Sequence, residues 1–299
     1  MIRVGFHRLL ILFFLAVSSN SFATSPILAK GAKLILLADG FGFTEGPAAD
    51  KAGNVYFTDQ PNNKILIWSV DGQLSTFHNA GGRANGLYFD DSGNLLSCSD
   101  ENNELWSIDM DGNATVLLSG FNGHKLNGPN DLWIDPRGGI YFTDPLYKRP
   151  YWTRDPEMQQ DGEHLYYITP DRGQVIQVDR QLVKPNGIVG TPDGKYLYVA
   201  DIGDRKTYRY TIAADGMLQD RKLFAEMGSD GMTIDAKGNV YLTGRGVTVF
   251  DKRGKQIEHI PVEANWTANV CFGGPRHKTL FITASQYLYS IEMKVKGAR

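Results

Sequence analysis

The 299-residue sequence predicts an all-β protein, a six-bladed β-propeller with blades of about four antiparallel strands. Two observations carry this reading: a hairpin motif that recurs six times, and a spacing between copies that matches one propeller blade. No sustained helical periodicity competes with it. The copies read EGPAADKAGNVYFTD from Glu45, NGLYFDDSGNLLSCSD from Asn85, NDLWIDPRGGIYFTD from Asn130, NGIVGTPDGKYLYVAD from Asn186, DGMTIDAKGNVYLTG from Asp230 and NVCFGGPRHKTLFITA from Asn269. Their starts lie 40, 45, 56, 44 and 39 residues apart, and a period of about 40 to 50 with several strands per unit belongs to propellers.

Each copy holds a short strand, a turn rich in Asp, Pro, Gly and Lys, and a second strand of β-branched and aromatic residues. Gly53, Gly93, Gly138, Gly194 and Gly238 fall at the same place in the turn, which His277 takes in the sixth copy. Further strands are expected at residues 65–68, 75–77, 104–108, 114–118, 165–168, 174–178, 207–212 and 247–250. The last blade ends with residues 287–292 and is one strand short. Residues 33–38 can supply it and close the ring between the two ends of the chain.

With 31 basic and 33 acidic side chains interspersed, a formal charge of -2 gives no basic face, so nucleic acid is not expected as a partner. Residues 1–23 read as a signal peptide, with Arg3, His7 and Arg8 before the apolar run Leu9 to Val17 and small residues at Ser21 and Ala23. The remaining 24–299 form the propeller, with a periplasmic or secreted location, no membrane span and no implied oligomer. Cys98 and Cys271 sit in separate apolar strands and are expected as buried free thiols.

The first residue of each copy precedes the innermost strand, so Glu45, Asn85, Asn130, Asn186, Asp230 and Asn269 are expected around one mouth of the central channel. All six carry oxygen and none is His or Cys, a donor set suited to a hard cation such as Ca²⁺ and poorly suited to zinc. A polar, water-filled mouth is the alternative. The second strands end at the same side with Asp59, Asp100, Asp144 and Asp201, as proton acceptors or as partners of backbone amides, the latter favoured for Asp59 and Asp100. Asp131 is expected to alternate away from the axis. The third repeat is lengthened by PLYKRPYWTRDPEMQQDGEH after Asp144, a segment able to wall a pocket with Tyr147, Tyr151 and Trp152.

The motifs TEGP (Thr44 to Pro47), LNGPNDL (Leu126 to Leu132), YFTDP (Tyr141 to Pro145), KPNGI (Lys184 to Ile188), SDGM (Ser229 to Met232) and NVCFGG (Asn269 to Gly274) resemble the gluconolactonase/regucalcin (senescence marker protein) family over nearly all of residues 24–299. The resemblance implies a six-bladed propeller with one divalent cation, foremost Ca²⁺ with Mg²⁺, Mn²⁺ or Zn²⁺ as options. It also implies hydrolysis of sugar lactones such as glucono-δ-lactone. Its cation ligands fall on Glu45, Asn130, Asn186 and Asp230. Asp230 is then the favoured base, with Asp201 second, and Asn85, Arg83, His124, Tyr147 and Asn269 are candidate substrate contacts. Asp131 and Asp144 would stand behind the ligands. A phosphotriesterase on the same scaffold and a non-enzymatic calcium-binding interaction module are the competing readings.

Overall fold

A computed structural model describes residues 25–298, so the signal peptide expected at residues 1–23 lies outside the described residues. The described chain folds into six four-stranded antiparallel sheets, and no helix occurs among these residues. The first blade runs from its inner to its outer strand as Thr44–Ala49, Val55–Asp59, Lys64–Trp68 and Leu74–His78. Four further blades repeat the meander, their inner strands being Leu87–Phe89, Leu132–Ile134, Pro185–Gly190 and Met232–Ile234.

Burial explains why the hairpins are so legible in the sequence. The second strands Val55–Asp59, Leu95–Ser99, Ile140–Asp144 and Val240–Gly244 are buried along their whole length, which demands the apolar and β-branched residues that mark each copy. The outer strands pair along one edge and face solvent. Two of them, Leu218–Ala225 and Gln256–Ile260, were not expected; their sequences LQDRKLFA and QIEHI mix polar with apolar residues and show no clean apolar run, because much of each strand faces solvent.

The sixth blade combines Thr267–Gly273, Thr279–Ala284 and Tyr287–Glu292 with the N-terminal strand Ile35–Ala38 on its outer edge. Leu36 pairs with Tyr289 and Ala38 with Leu288, so the expected closure of the ring is observed. Thr44 Oγ1 adds a hydrogen bond to the Tyr287 carbonyl at 2.8 Å. Between blades, Thr58 Oγ1 donates to the Asn85 carbonyl (3.2 Å), Thr143 Oγ1 to that of Asn186 (2.8 Å) and Thr243 Oγ1 to that of Ala268 (2.7 Å). Edge-on aromatic pairs such as Tyr56 with Phe89 and Tyr241 with Phe272 fill the wedges, each worth about 0.5–1.5 kcal/mol beyond the area it buries.

The floor of the channel is at the hairpin-turn end. There the C-terminal tail is stitched across by the Ala298 amide to the Ile234 carbonyl (3.0 Å) and the Ala236 amide to the Lys296 carbonyl (2.9 Å). Above it lies a cavity of about 450 Å³ walled by Tyr88, Trp133 and Phe272. It reaches the ring end at Asp131 and Asn269. Cys98 and Cys271 are buried free thiols.

Candidate active site

Glycine follows the ring residue in four of the copies, and crowding at the axis explains it. Gly46 has φ of +40°, and a Cβ there would stand 2.0 Å from the Asn85 carbonyl oxygen. At Gly231 a Cβ would fall 1.9 Å from Asn269 Cγ. The inner strands approach so closely that only a bare backbone fits beside the next ring residue.

Within this ring Glu45, Asn130 and Asn186 are buried, and Asp230 is half-buried. Asn186 Nδ2 donates both to Asp230 Oδ1 and to the Tyr147 hydroxyl, each at 2.8 Å. Trp266 Nε1 donates to Asp230 Oδ2 at 2.5 Å. Asn130 hangs from the threonine that also holds Asn186: its amide donates to the Thr143 carbonyl at 2.9 Å, while Thr143 Oγ1 bonds Asn186. Glu45 Oε2 accepts the Gly46 amide at 3.0 Å. Burial, and then the nearby charge of Asp230, raise the Glu45 carboxyl well above its ordinary value. Burial also raises Asp230, against the opposing hydrogen bonds of Trp266 and Asn186 and the charge of Arg149.

This arrangement fits a hard divalent cation. Asn186 Oδ1 is buried with no hydrogen-bond partner while its own amide nitrogen is doubly used, so the oxygen is left for a ligand. Two carboxylates stand close enough to disfavour each other's charge. No group of three or more His, Cys, Asp or Glu gathers among the described residues, so a cation here must also draw on amide oxygens, which suits Ca²⁺ or Mg²⁺ over zinc.

The remaining expected residues divide. Asn85 and Asn269 are buried in the ring; Asn269 Oδ1 accepts the Val270 amide at 2.8 Å, and its side chain also bonds Asp131. Asp131 was expected to point away from the axis, but its carboxylate lies in the channel, in the space a Cβ on Gly86 would need (2.6 Å). Simple alternation fails because the blade-three ladder begins only at Leu132, opposite Phe142. Burial pushes Asp131 up to about 7.

Both oxygens of Asp144 accept backbone amides, from Asn127 and Gly128 at 2.9 Å, which fixes the loop leading to Asn130. Asp201 does the same for Val183 (2.8 Å) and Lys184 (2.9 Å), and Asp59 for Gly42 and Phe43. These carboxylates are staples, and Asp201 is thereby committed to main chain rather than aimed at the ring.

Asp100 breaks the pattern expected of it. Its partners are side chains: Gln60 Nε2 at 3.1 Å, Trp152 Nε1 at 3.3 Å and Arg154 Nη2 at 3.4 Å. It is one anchor of the lengthened third repeat; Asn127, whose Oδ1 accepts the Gln159 and Gln160 amides, is another. Arg83 pairs with Glu101 at 2.8 Å, bonds the Pro61 carbonyl and lies 4.7 Å over Tyr151, so it clamps the same segment. His124 is exposed in a turn whose amide and carbonyl bond those of Phe121, away from the buried ring.

Two residues at the mouth were not foreseen. Trp266 lies outside the repeated motif and precedes the sixth copy, so no register pointed to it. Arg149 stands in the lengthened segment, where RPYW drew notice for its aromatics; its guanidinium lies 5.3 Å over Tyr147.

Known proteins share this architecture. The chain is 25% identical to a gluconolactonase of Zymomonas mobilis over 91% of its own length and 84% of that protein's. It is 31% identical to a gluconolactonase of Xanthomonas campestris of solved structure, with a TM-score of 0.81 over 88% of this chain and 90% of that one. A calcium-binding regucalcin from Agrobacterium tumefaciens, 20% identical, shares the fold with a TM-score of 0.71 over 88% of this chain and 94% of that one. Residues 43–286 match the family described as SMP-30/Gluconolactonase/LRE-like region; with its ring, blades and closing strand in place, the chain belongs to that family.

Proposed function

We propose that this protein is a divalent-cation-dependent lactonase that opens sugar lactones such as glucono-δ-lactone, with Ca²⁺ the best-suited ion. The observation that carries the reading is the unpartnered Asn186 Oδ1 beside the buried Glu45 and the half-buried Asp230, in a chain of the gluconolactonase family. Glu45, Asn130, Asn186 and Asp230 would hold the ion. When bound, the ion would polarise the lactone carbonyl and offset the charge that grows on its oxygen as water adds.

The chain's own groups do the rest. Asp230 is fixed from two sides, by Asn186 on one oxygen and Trp266 on the other, so its free lone pairs have a defined aim. It accepts the proton of the attacking water, and burial, by raising its proton affinity, improves it as a base. The Tyr147 oxygen already accepts from Asn186, which leaves its own O–H to donate to the substrate, and burial keeps that phenol protonated. The ring oxygen that leaves takes up a proton as the C–O bond breaks, giving the open hydroxy acid.

The test is hydrolysis of glucono-δ-lactone by the protein after EDTA treatment and again after Ca²⁺ is restored, corrected for the spontaneous rate. Turnover that disappears and returns with the ion is expected, together with loss of both ion binding and turnover in Glu45→Gln. A restored protein that binds Ca²⁺ yet never exceeds the spontaneous rate would overturn the lactone assignment.

A further inference from the structure

Three of the cations near the mouth are spent on the protein itself. Arg83 is held by Glu101 and Pro61. Arg154 donates to the Asn127 carbonyl at 2.7 Å and lies 3.5 Å over Trp152. Lys184 donates to the Leu146 carbonyl at 3.0 Å and pairs with Glu163 at 3.3 Å.

Arg149 differs. Its nearest carboxylate oxygen is Asp100 Oδ2 at 4.0 Å, beyond hydrogen-bond length, and Asp100 is already engaged by Gln60, Trp152 and Arg154. Its Nε is buried with no partner, as is that of Arg154, but Arg154 spends Nη2 on the Asn127 carbonyl whereas no side-chain hydrogen bond engages Arg149, whose side chain as a whole is 26% exposed. Leaving a guanidinium donor unpaired in a protein wall is costly unless something else occupies it in the working state. The Asp100 charge holds Arg149 in place without consuming its donors.

Its position says what that something is. Arg149 stacks on Tyr147, whose hydroxyl bonds Asn186, so it stands one phenol ring away from the cluster of Glu45, Asn186 and Asp230. A sugar lactone seated with its carbonyl at that cluster would present its far end to the guanidinium. Planar, forked donors of this kind match a carboxylate.

Resting on the lactonase reading, we propose that Arg149 is a specificity-determining residue that binds a carboxylate at the far end of the lactone, making acid-bearing sugar lactones the preferred substrates. Two measurements test this on the full protein. The first is the ratio of kcat/KM for glucaro-γ-lactone, which carries a free carboxylate, to that for the neutral glucono-γ-lactone. The second is calorimetric binding of glucarate against uncharged sorbitol.

In the wild type the acid lactone should be preferred and glucarate should bind more tightly than sorbitol. Arg149→Gln should lower both preferences by about tenfold or more, the scale of a lost charge-assisted hydrogen bond. Arg149→Lys, which keeps the charge and loses the fork, should fall between. Turnover of both lactones with no preference for the acid one, or a preference that survives Arg149→Gln, overturns the proposal and leaves the lactonase reading standing. If neither lactone is turned over, the lactonase reading has failed, and the substrate assignment of Arg149 falls with it. Calorimetry then shows separately whether an Arg149-dependent carboxylate site exists.

Discussion

Trp266 shows how much one side chain can decide. Its indole N–H is aimed at Asp230 Oδ2 at 2.5 Å, a bond to an ionised acceptor of the stronger kind. Replacing it with Phe keeps the ring in the wall and deletes only the donor. The expected result for Trp266→Phe is a kcat lower by about tenfold, from a carboxylate less well oriented, with Ca²⁺ affinity changed far less. Parallel steady-state kinetics and calorimetry would show this, and an unchanged kcat would remove Trp266 from the mechanism. Nothing in the sequence marked this tryptophan, because it lies outside the repeat. Asn186 and Asp230 were legible for the opposite reason, each standing first in its copy.

At the scale of elements, the hairpins were readable and their surroundings less so. The buried second strands force an apolar pattern, whereas the outer strands at Leu218–Ala225 and Gln256–Ile260 are held by backbone pairing on one side and leave little pattern. Asp131 was misplaced because pairing periodicity was extended past the point where the ladder stops. The segment after Asp144 was visible as an insertion, but its attachment was not, since Asp100 departs from the stapling role of Asp59, Asp144 and Asp201. That attachment is shared: Asp100 holds Trp152 and Arg154, while Asn127 accepts the Gln159 and Gln160 amides and Gln160 donates to the Lys125 carbonyl. Asp100→Ala should therefore loosen the stretch around Trp152 while the rest of the segment and the blades persist: limited proteolysis should cut faster near residues 149–154, with the circular dichroism of the sheets intact. Cutting at the wild-type rate would show that the contacts to Asn127 and Glu101 suffice without Asp100.

The whole molecule carries an electrostatic load that depends on pH. Burial pushes Asp100 up to about 6 and Asp144 up to about 7, where an unfolded chain would have them near the ordinary value of 3.8. Between those values the folded protein holds protons that the unfolded chain has released, so stability falls as pH rises. The surface carboxylates lowered by local hydrogen bonds, such as Asp155 and Asp251, act in the opposite direction but below that range. Thermal unfolding in EDTA should accordingly give a lower Tm at pH 8 than at pH 5, with a shallower decline in Asp144→Asn. A Tm that rises over this interval would contradict the assignment.

The strand that closes the ring has a consequence in time. Ile35–Ala38 belongs to the last blade, and Thr44 Oγ1 reaches a carbonyl 243 residues further along the chain. During synthesis at roughly 5–20 residues per second, the opening strand therefore waits about 10–50 seconds for its partner to exist. For that interval the nascent chain presents the edge ILLA with no sheet to join. The protein is obliged to complete itself at the point where it began.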